Sequence, residues 1–321
     1  MDRATRLVTI FGGSGFVGTQ LVQRLARQGY RMRIAVRRPD LALHLKPLGA
    51  VGQIAPIQAN LRNPASVQRA VSGADVVINL VGVGFERQRQ RFRAVHVEGA
   101  AAVAEAARTA GAKALVHMSA LGADPDSRSA YARSKAMGEA AVLSAFPGAV
   151  VIRPSIMFGP ADDFFNLIGG LARMLPVLPL IGGTTRFQPV YVGDVAEACV
   201  RAAEGEVEGG RIYELGGPEV RTHRELVQLV LRETRRTNPL LAVPAGLAKV
   251  MALPFALLPI PPLLTFDQVE LLHIDNVVSS SAIDDDRTFA AFGIEPVALE
   301  AILPSYLWRF MKHGQFDRQA A

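Results

Sequence analysis

Tyr131 and Lys135 stand four residues apart in SAYARSKAMGEAAV, a stretch with the composition and spacing of a helix. Positions i and i+4 share one helix face. An ammonium beside a phenol favours the phenolate and draws a pKa of about 10 toward the working range. Such a tyrosine can exchange a proton with a hydroxyl or carbonyl, while the lysine holds a neighbouring polar ligand. Ser119 ends the apolar run KALVHMS and adds a hydroxyl for the same substrate oxygen. The plain rivals are a coincidence on a helix surface for the pair and a strand-end hydrogen bond for the serine.

These residues need elements to position them. Strand-like runs occupy 7–12, 31–36, 51–59, 75–82, 113–119 and 149–155, with helical stretches between them. One is FVGTQLVQRLARQG; another is EGAAAVAEAARTAG, which ends at Gly111 as a helix should. Strand alternating with helix implies a parallel sheet covered on both faces. The expected class is α/β, a doubly wound parallel (Rossmann) sheet with a smaller C-terminal lobe. The sheet domain is expected over 1–160, with 187–217 returning to it, and the lobe over 161–186 and 218–321.

The first strand runs into FGGSGFVGTQL. Gly12, Gly15 and Gly18 fit G-x-x-G-x-x-G, and Gly13, Gly15 and Gly18 fit G-x-G-x-x-G. Between a strand and a helix, these glycines allow a tight turn and close approach of backbone to a pyrophosphate at a helix N-terminus. Gly12, Gly13, Ser14, Gly15, Phe16, Val17 and Gly18 are thus the expected phosphate loop. An NAD site carries Asp or Glu about 20 residues on, at the end of the second strand. Here that end reads AVRRPD, and Arg37 with Arg38 suits a 2′-phosphate, favouring NADP(H) over NAD(H). Asn60 and Leu61 are expected beside the adenine, and Asn79, Leu80, Val81 and Gly82 under the cofactor at the carboxyl edge of the sheet.

A nucleotide loop followed by Tyr-x-x-x-Lys resembles the short-chain dehydrogenase/reductase superfamily, in its extended or atypical branch. RPSIMFGP, 153–160, is similar to the segment that family places beside the nicotinamide, which implies cofactor contacts for Pro154, Ser155 and Ile156. VINLVG, SAYARSKAMGE, RPSIMFGPADDFFN and QPVYVGDVA together look like the NADPH-binding accessory subunit family of respiratory complex I and its bacterial relatives. That resemblance implies a tightly held NADPH in a mainly structural role, peripheral-arm subunits or a membrane surface as partners, and a cytoplasmic position on the inner membrane. A free-standing NADP(H)-dependent reductase, dehydrogenase or nucleotide-sugar epimerase is the alternative. His96 stands where extended relatives usually carry asparagine, and hydroxyls near Ser119 are few, so slow or absent turnover is expected.

The bulk figures set limits. Half of the 321 residues are hydrophobic, enough for one sizeable core or a core with a lobe. A single cysteine forbids an internal disulfide, and the six histidines show no ligand spacing, so no metal is expected. The N-terminal run shows no signal or transit pattern. The net charge of +6 is scattered and aromatics are few, which argues against nucleic acid and for an acidic protein or anionic membrane surface. His117 reads as a packed core residue and His96 as a helix-face residue. Asp162, Asp163 and Asp194 read as loop or helix-start residues. From 238 to 265 the chain is apolar, but six prolines and Lys249 interrupt it, so a surface segment is expected rather than a membrane span.

Overall fold

A computed structural model describes residues 3–250, 262 and 264–312. The strands in chain order are β1 (Leu7–Phe11), β2 (Arg31–Val36), β3 (Ile54–Gln58), β4 (Val76–Asn79), β5 (Ala114–Met118) and β6 (Val150–Pro154). There follow β7 (Met157–Phe158), β8 (Leu178–Ile181), β9 (Arg186–Phe187), β10 (Val190–Tyr191), β11 (Ile212–Leu215), β12 (Arg221–Thr222) and β13 (Leu240–Val243). The longer helices are α1 (Phe16–Arg27), α2 (Pro64–Val71), α3 (Glu98–Thr109), α4 (Ala130–Ala145), α5 (Phe164–Met174), α6 (Val192–Glu204) and α7 (His223–Glu233).

The chain divides into two compact units. The first comprises Met1–Pro154, Val192–Leu215 and Ser279–Glu295. Its sheet has seven strands in the order β11-β6-β5-β4-β1-β2-β3, and every pairing is parallel. Helices α1 and α6 pack together, and α2, α3 and α4 form a second packed row. A sheet covered on both sides reads as near-continuous apolar runs, and β1 and β4 are buried along almost their whole length. One side of the core is Phe11, Val67, Val77, Val103, Leu115 and the alanines of α3, small enough for helix and sheet to approach closely. The strand order reverses between β1 and β4, and ligands in such sheets bind outside the carboxyl ends at that point.

The second unit comprises Ser155–Tyr191, Gly216–Val278 and Pro296–Ala321. Its strands make three short pairs, β7 with β10, β8 with β13 and β9 with β12. Phe158, Phe165, Leu226, Val230, Leu303 and Leu307 are among its core residues. Ile181, Val243, Ala248 and Val269 make a smaller cluster.

The units divide differently from the sequence expectation. The first break falls after Pro154, and Ser279–Glu295 joins the sheet unit instead of the lobe. The reason is visible at β11. Glu214 Oε2 accepts from the Ser279 amide at 2.8 Å, and the Glu214 amide donates to the Arg287 carbonyl at 2.9 Å, so the late segment satisfies the exposed edge of the sheet. The third strand is also shorter than 51–59, because Gly52 adopts φ +80° in a turn. Of the apolar stretch, 251–261 and 263 lie outside the described residues; within them, no helix is long and apolar enough to cross a membrane.

Candidate functional site

The glycine loop joins β1 to α1. Gly12 has φ +77°, and a Cβ there would meet the Leu80–Val81 backbone at 3.3 Å. A Cβ on Gly18 would lie 2.5 Å from the Gly13 backbone, so helix and loop touch through two glycines. Gly15 differs, since a Cβ would meet only the Gly12 carbonyl at 3.3 Å. The protein's own packing asks little of this exposed position, and the space beside it is what a side chain would fill. Gly15 caps α1 without a side-chain hydrogen bond, and no acid occupies the first turn. Ser14 and Phe16 are half-buried beside it, and Val17 is buried. An uncapped helix N-terminus with open space over a glycine suits a pyrophosphate.

Arg37 and Arg38 follow β2, both exposed. Arg38 forms an ion pair with Asp40 at 3.0 Å, whereas Arg37 forms none among the described residues. After β3, Asn60 Oδ1 accepts the Arg62 amide at 3.1 Å and builds the turn, while Leu61 packs on the core and against Gly99. Leu80, Val81 and Gly82 follow β4, beside the glycine loop. Asn79 at the end of β4 is buried; its amide nitrogen meets His117 Nδ1 at 3.2 Å and its oxygen accepts the Val81 amide at 3.2 Å. His117 is a core residue whose pKa burial pushes down to about 3.

Tyr131 and Lys135 lie on the first turns of α4, which Ser129 caps by accepting the Ala132 amide. Lys135 Nζ stands 5.9 Å from the Tyr131 ring centroid and donates to the Met118 carbonyl at 3.1 Å. The lysine is 5% exposed, and burial pushes its pKa down to about 8 against the upward pull of Glu139. A Cβ on Gly82 would meet Lys135 Nζ at 3.4 Å and His96 Nε2 at 3.7 Å, so the strip after β4 faces the lysine directly.

His96 departs from the helix-face reading. It is buried in a π-helical turn, Arg93–Val97, stacked 5.4 Å from Phe92 and edge-on to Tyr131 at 5.5 Å. The Val83 amide donates to Nε2 at 3.0 Å, so Nδ1 carries the proton and donates to Ser134 Oγ at 2.9 Å. Ser134 in turn donates to the Tyr131 carbonyl at 2.7 Å. Burial, followed by repulsion from Lys135, pushes the imidazole down to about 3. With both nitrogens committed, His96 is a brace between β4 and α4.

Ser119 donates its proton to Glu139 Oε1. Glu139 is itself held by the Arg153 guanidinium at 2.6 and 2.8 Å, and Arg153 reaches Glu214 at 3.3 Å. The hydroxyl is thus engaged inside the fold. Sequence reasoning missed Glu139, whose surroundings AMGEAAV look like a helix surface. Arg153 was the available signal, since an arginine inside a strand run needs a buried carboxylate.

Pro154 ends β6 in the first unit, and its carbonyl accepts the Leu121 amide at 2.9 Å. Ser155 and Ile156 belong to the second unit, where the Ser155 hydroxyl and Ile156 amide both donate to Asn276 Oδ1, at 2.7 and 3.1 Å. Asp162 accepts the Phe165 and Asn166 amides at 2.7 and 3.1 Å and the Tyr306 hydroxyl at 2.5 Å, and Asp163 stands at the start of α5 without a side-chain capping bond. Asp194 sits in the first turn of α6. Among the described residues no three His, Cys, Asp or Glu side chains gather as metal ligands.

An uncapped α1 behind a glycine turn, with a tyrosine and a buried lysine across the same sheet edge, defines a dinucleotide-binding class. The chain belongs to the NAD dependent epimerase/dehydratase family, whose pattern matches residues 8–216. More particularly, it is 35% identical to NADH dehydrogenase (ubiquinone) 1 alpha subcomplex subunit 9, mitochondrial, of Arabidopsis thaliana, over 96% of this chain and 79% of that one. It is 36% identical to a ceramide reductase of Caulobacter vibrioides over 64% of this chain and 63% of that one. The solved UDP-glucose 4-epimerase of Thermus thermophilus, in complex with NAD, shares the fold at a TM-score of 0.66 and 20% identity, covering 98% of this chain and 100% of that one.

Proposed function

We propose that this chain is an accessory or assembly subunit of NADH:ubiquinone oxidoreductase that holds NADP(H) mainly for structure. The observation that carries the reading is the near full-length likeness to the Arabidopsis subunit. Residues 12–18 would hold the pyrophosphate and Arg37 the 2′-phosphate. Leu80–Gly82 would line the floor and Lys135 would hold the nicotinamide ribose. The bound nicotinamide supplies hydride chemistry to any reaction at this site. What the chain's own residues supply is binding and one proton-exchanging phenol, Tyr131. Ser119 has its proton engaged by Glu139, and both ring nitrogens of His96 are engaged by Val83 and Ser134, so support for a reacting carbonyl is thin. The chain would sit at the membrane surface on the cytoplasmic face of the inner membrane, against peripheral-arm subunits. Native electrophoresis of solubilised membranes tests this: the chain should migrate with NADH:quinone reductase activity, and migration as a free species would refute it.

A second reading, an NADP(H)-dependent reductase or epimerase, draws on the retained Tyr131–Lys135 pair and on the ceramide reductase relative. NADPH oxidation with an added carbonyl substrate, lost in Tyr131→Phe, would favour it.

A further inference from the structure

We propose that Glu139 is a positioning residue for Lys135: it fixes the strand tip that anchors the lysine and supplies the fixed negative charge that keeps its ammonium protonated. The inference rests on the reading that this site holds a dinucleotide.

Glu139 lies one turn after Lys135 on α4, and both are buried, at 2% and 5% exposure. Its carboxylate cannot swing, because Arg153 grips both oxygens, at 2.8 and 2.6 Å, and Ser119 adds a third bond. Ser119 follows Met118, whose carbonyl accepts from Lys135 at 3.1 Å. Glu139 therefore clamps the β5 tip that in turn receives the lysine. Glu214 on β11 faces Arg153 from the other side at 3.3 Å and is held by the Ser279 amide. Arg153 thus meets two carboxylates, Glu139 and Glu214, and Glu139 is the one whose charge reaches Lys135.

The other groups near Lys135 do not take this part. His117 on β5 and His96 on the π turn are neutral above about pH 5, since burial holds both near 3. Tyr131 on α4 presents its ring, 5.9 Å away. Glu139 is the group that pulls the lysine upward against burial. Without it, Lys135 gives up its proton at lower pH and loses its hold on a ribose hydroxyl.

The test is the pH profile of NADPH affinity, by calorimetric titration from about pH 6 to about pH 9.5. Wild-type affinity should fall as pH rises through about 8. Glu139→Gln should move that fall down by about one unit, and Glu139→Asp, which keeps the charge, should restore it. Should Glu139→Gln not fold, Glu214→Gln decides. It leaves Arg153 wholly to Glu139, so that the guanidinium offsets more of the Glu139 charge, and it should move the fall in the same direction by less. Variant profiles superimposed on the wild type, or a flat wild-type profile, would overturn the proposal while the nucleotide reading stands. No NADPH binding at any pH would remove that reading and the proposal with it.

Discussion

Lys135 and Tyr131 were legible from spacing alone, because four residues on a helix is geometry before it is chemistry. Lys135→Met should keep the fold and weaken NADPH binding at least about tenfold, since one charge-assisted bond is worth roughly 1.5–3 kcal/mol; unchanged affinity in a calorimetric titration would speak against the lysine. Arg37→Asp should erase any preference for NADPH over NADH, while Arg38→Ala should matter less because Arg38 is paired with Asp40 at 3.0 Å. Equal affinities in the wild type would sink that argument. His96 was not legible, since its burial depends on α4 passing over the π turn, a contact between segments distant in sequence. His96 and His117 leave a pH signature. Both fold with pKa values near 3 against an ordinary 6.5, so the unfolded chain binds more protons between those limits. Stability from these groups is complete above about pH 6.5 and is lost as pH falls toward 3, at up to roughly 3 kcal/mol per pH unit when both contribute. Urea midpoints flat from about pH 6.5 to about pH 4 would contradict the assignment.

At the scale of elements, the sheet was readable because strands covered on both faces become continuous apolar runs, and β1, β2, β5 and β6 fall inside the runs read from sequence. The return of Ser279–Glu295 was hidden, since it is fixed by single hydrogen bonds at β11 and not by any periodic pattern. Gly138 carries another relation that no pattern shows: a Cβ there would come within 2.1 Å of the His96 carbonyl. Gly138→Ala should therefore force α4 off the π turn and cost about 1–3 kcal/mol or more. A chemical-denaturation midpoint equal to the wild type would show that the two elements are not in contact.

Over the whole molecule, the second unit leaves large apolar side chains in solvent, with Met174 at 78%, Leu241 at 60% and Val250 at 65% exposure. Leu241 and Val250 fall in the stretch expected from sequence to lie on a surface, and a covering lipid or subunit is the partner proposed for it. Leu241→Ser with Val250→Ser should preserve the thermal midpoint and NADPH binding while releasing the chain from sedimented membranes. A collapsed midpoint would instead make these residues part of the protein's own core. In the proposed function the nucleotide site serves assembly and not turnover. The measurement that bears on it most directly is the yield of assembled NADH:quinone reductase, with its quinone-reduction rate, from membranes carrying Tyr131→Phe or Lys135→Met in place of the wild type. Tyr131→Phe should give wild-type yield and rate, and Lys135→Met should reduce assembly because the ribose is no longer held. A Tyr131→Phe chain that loses a carbonyl reduction performed by the wild type, with assembly untouched in both variants, would contradict it.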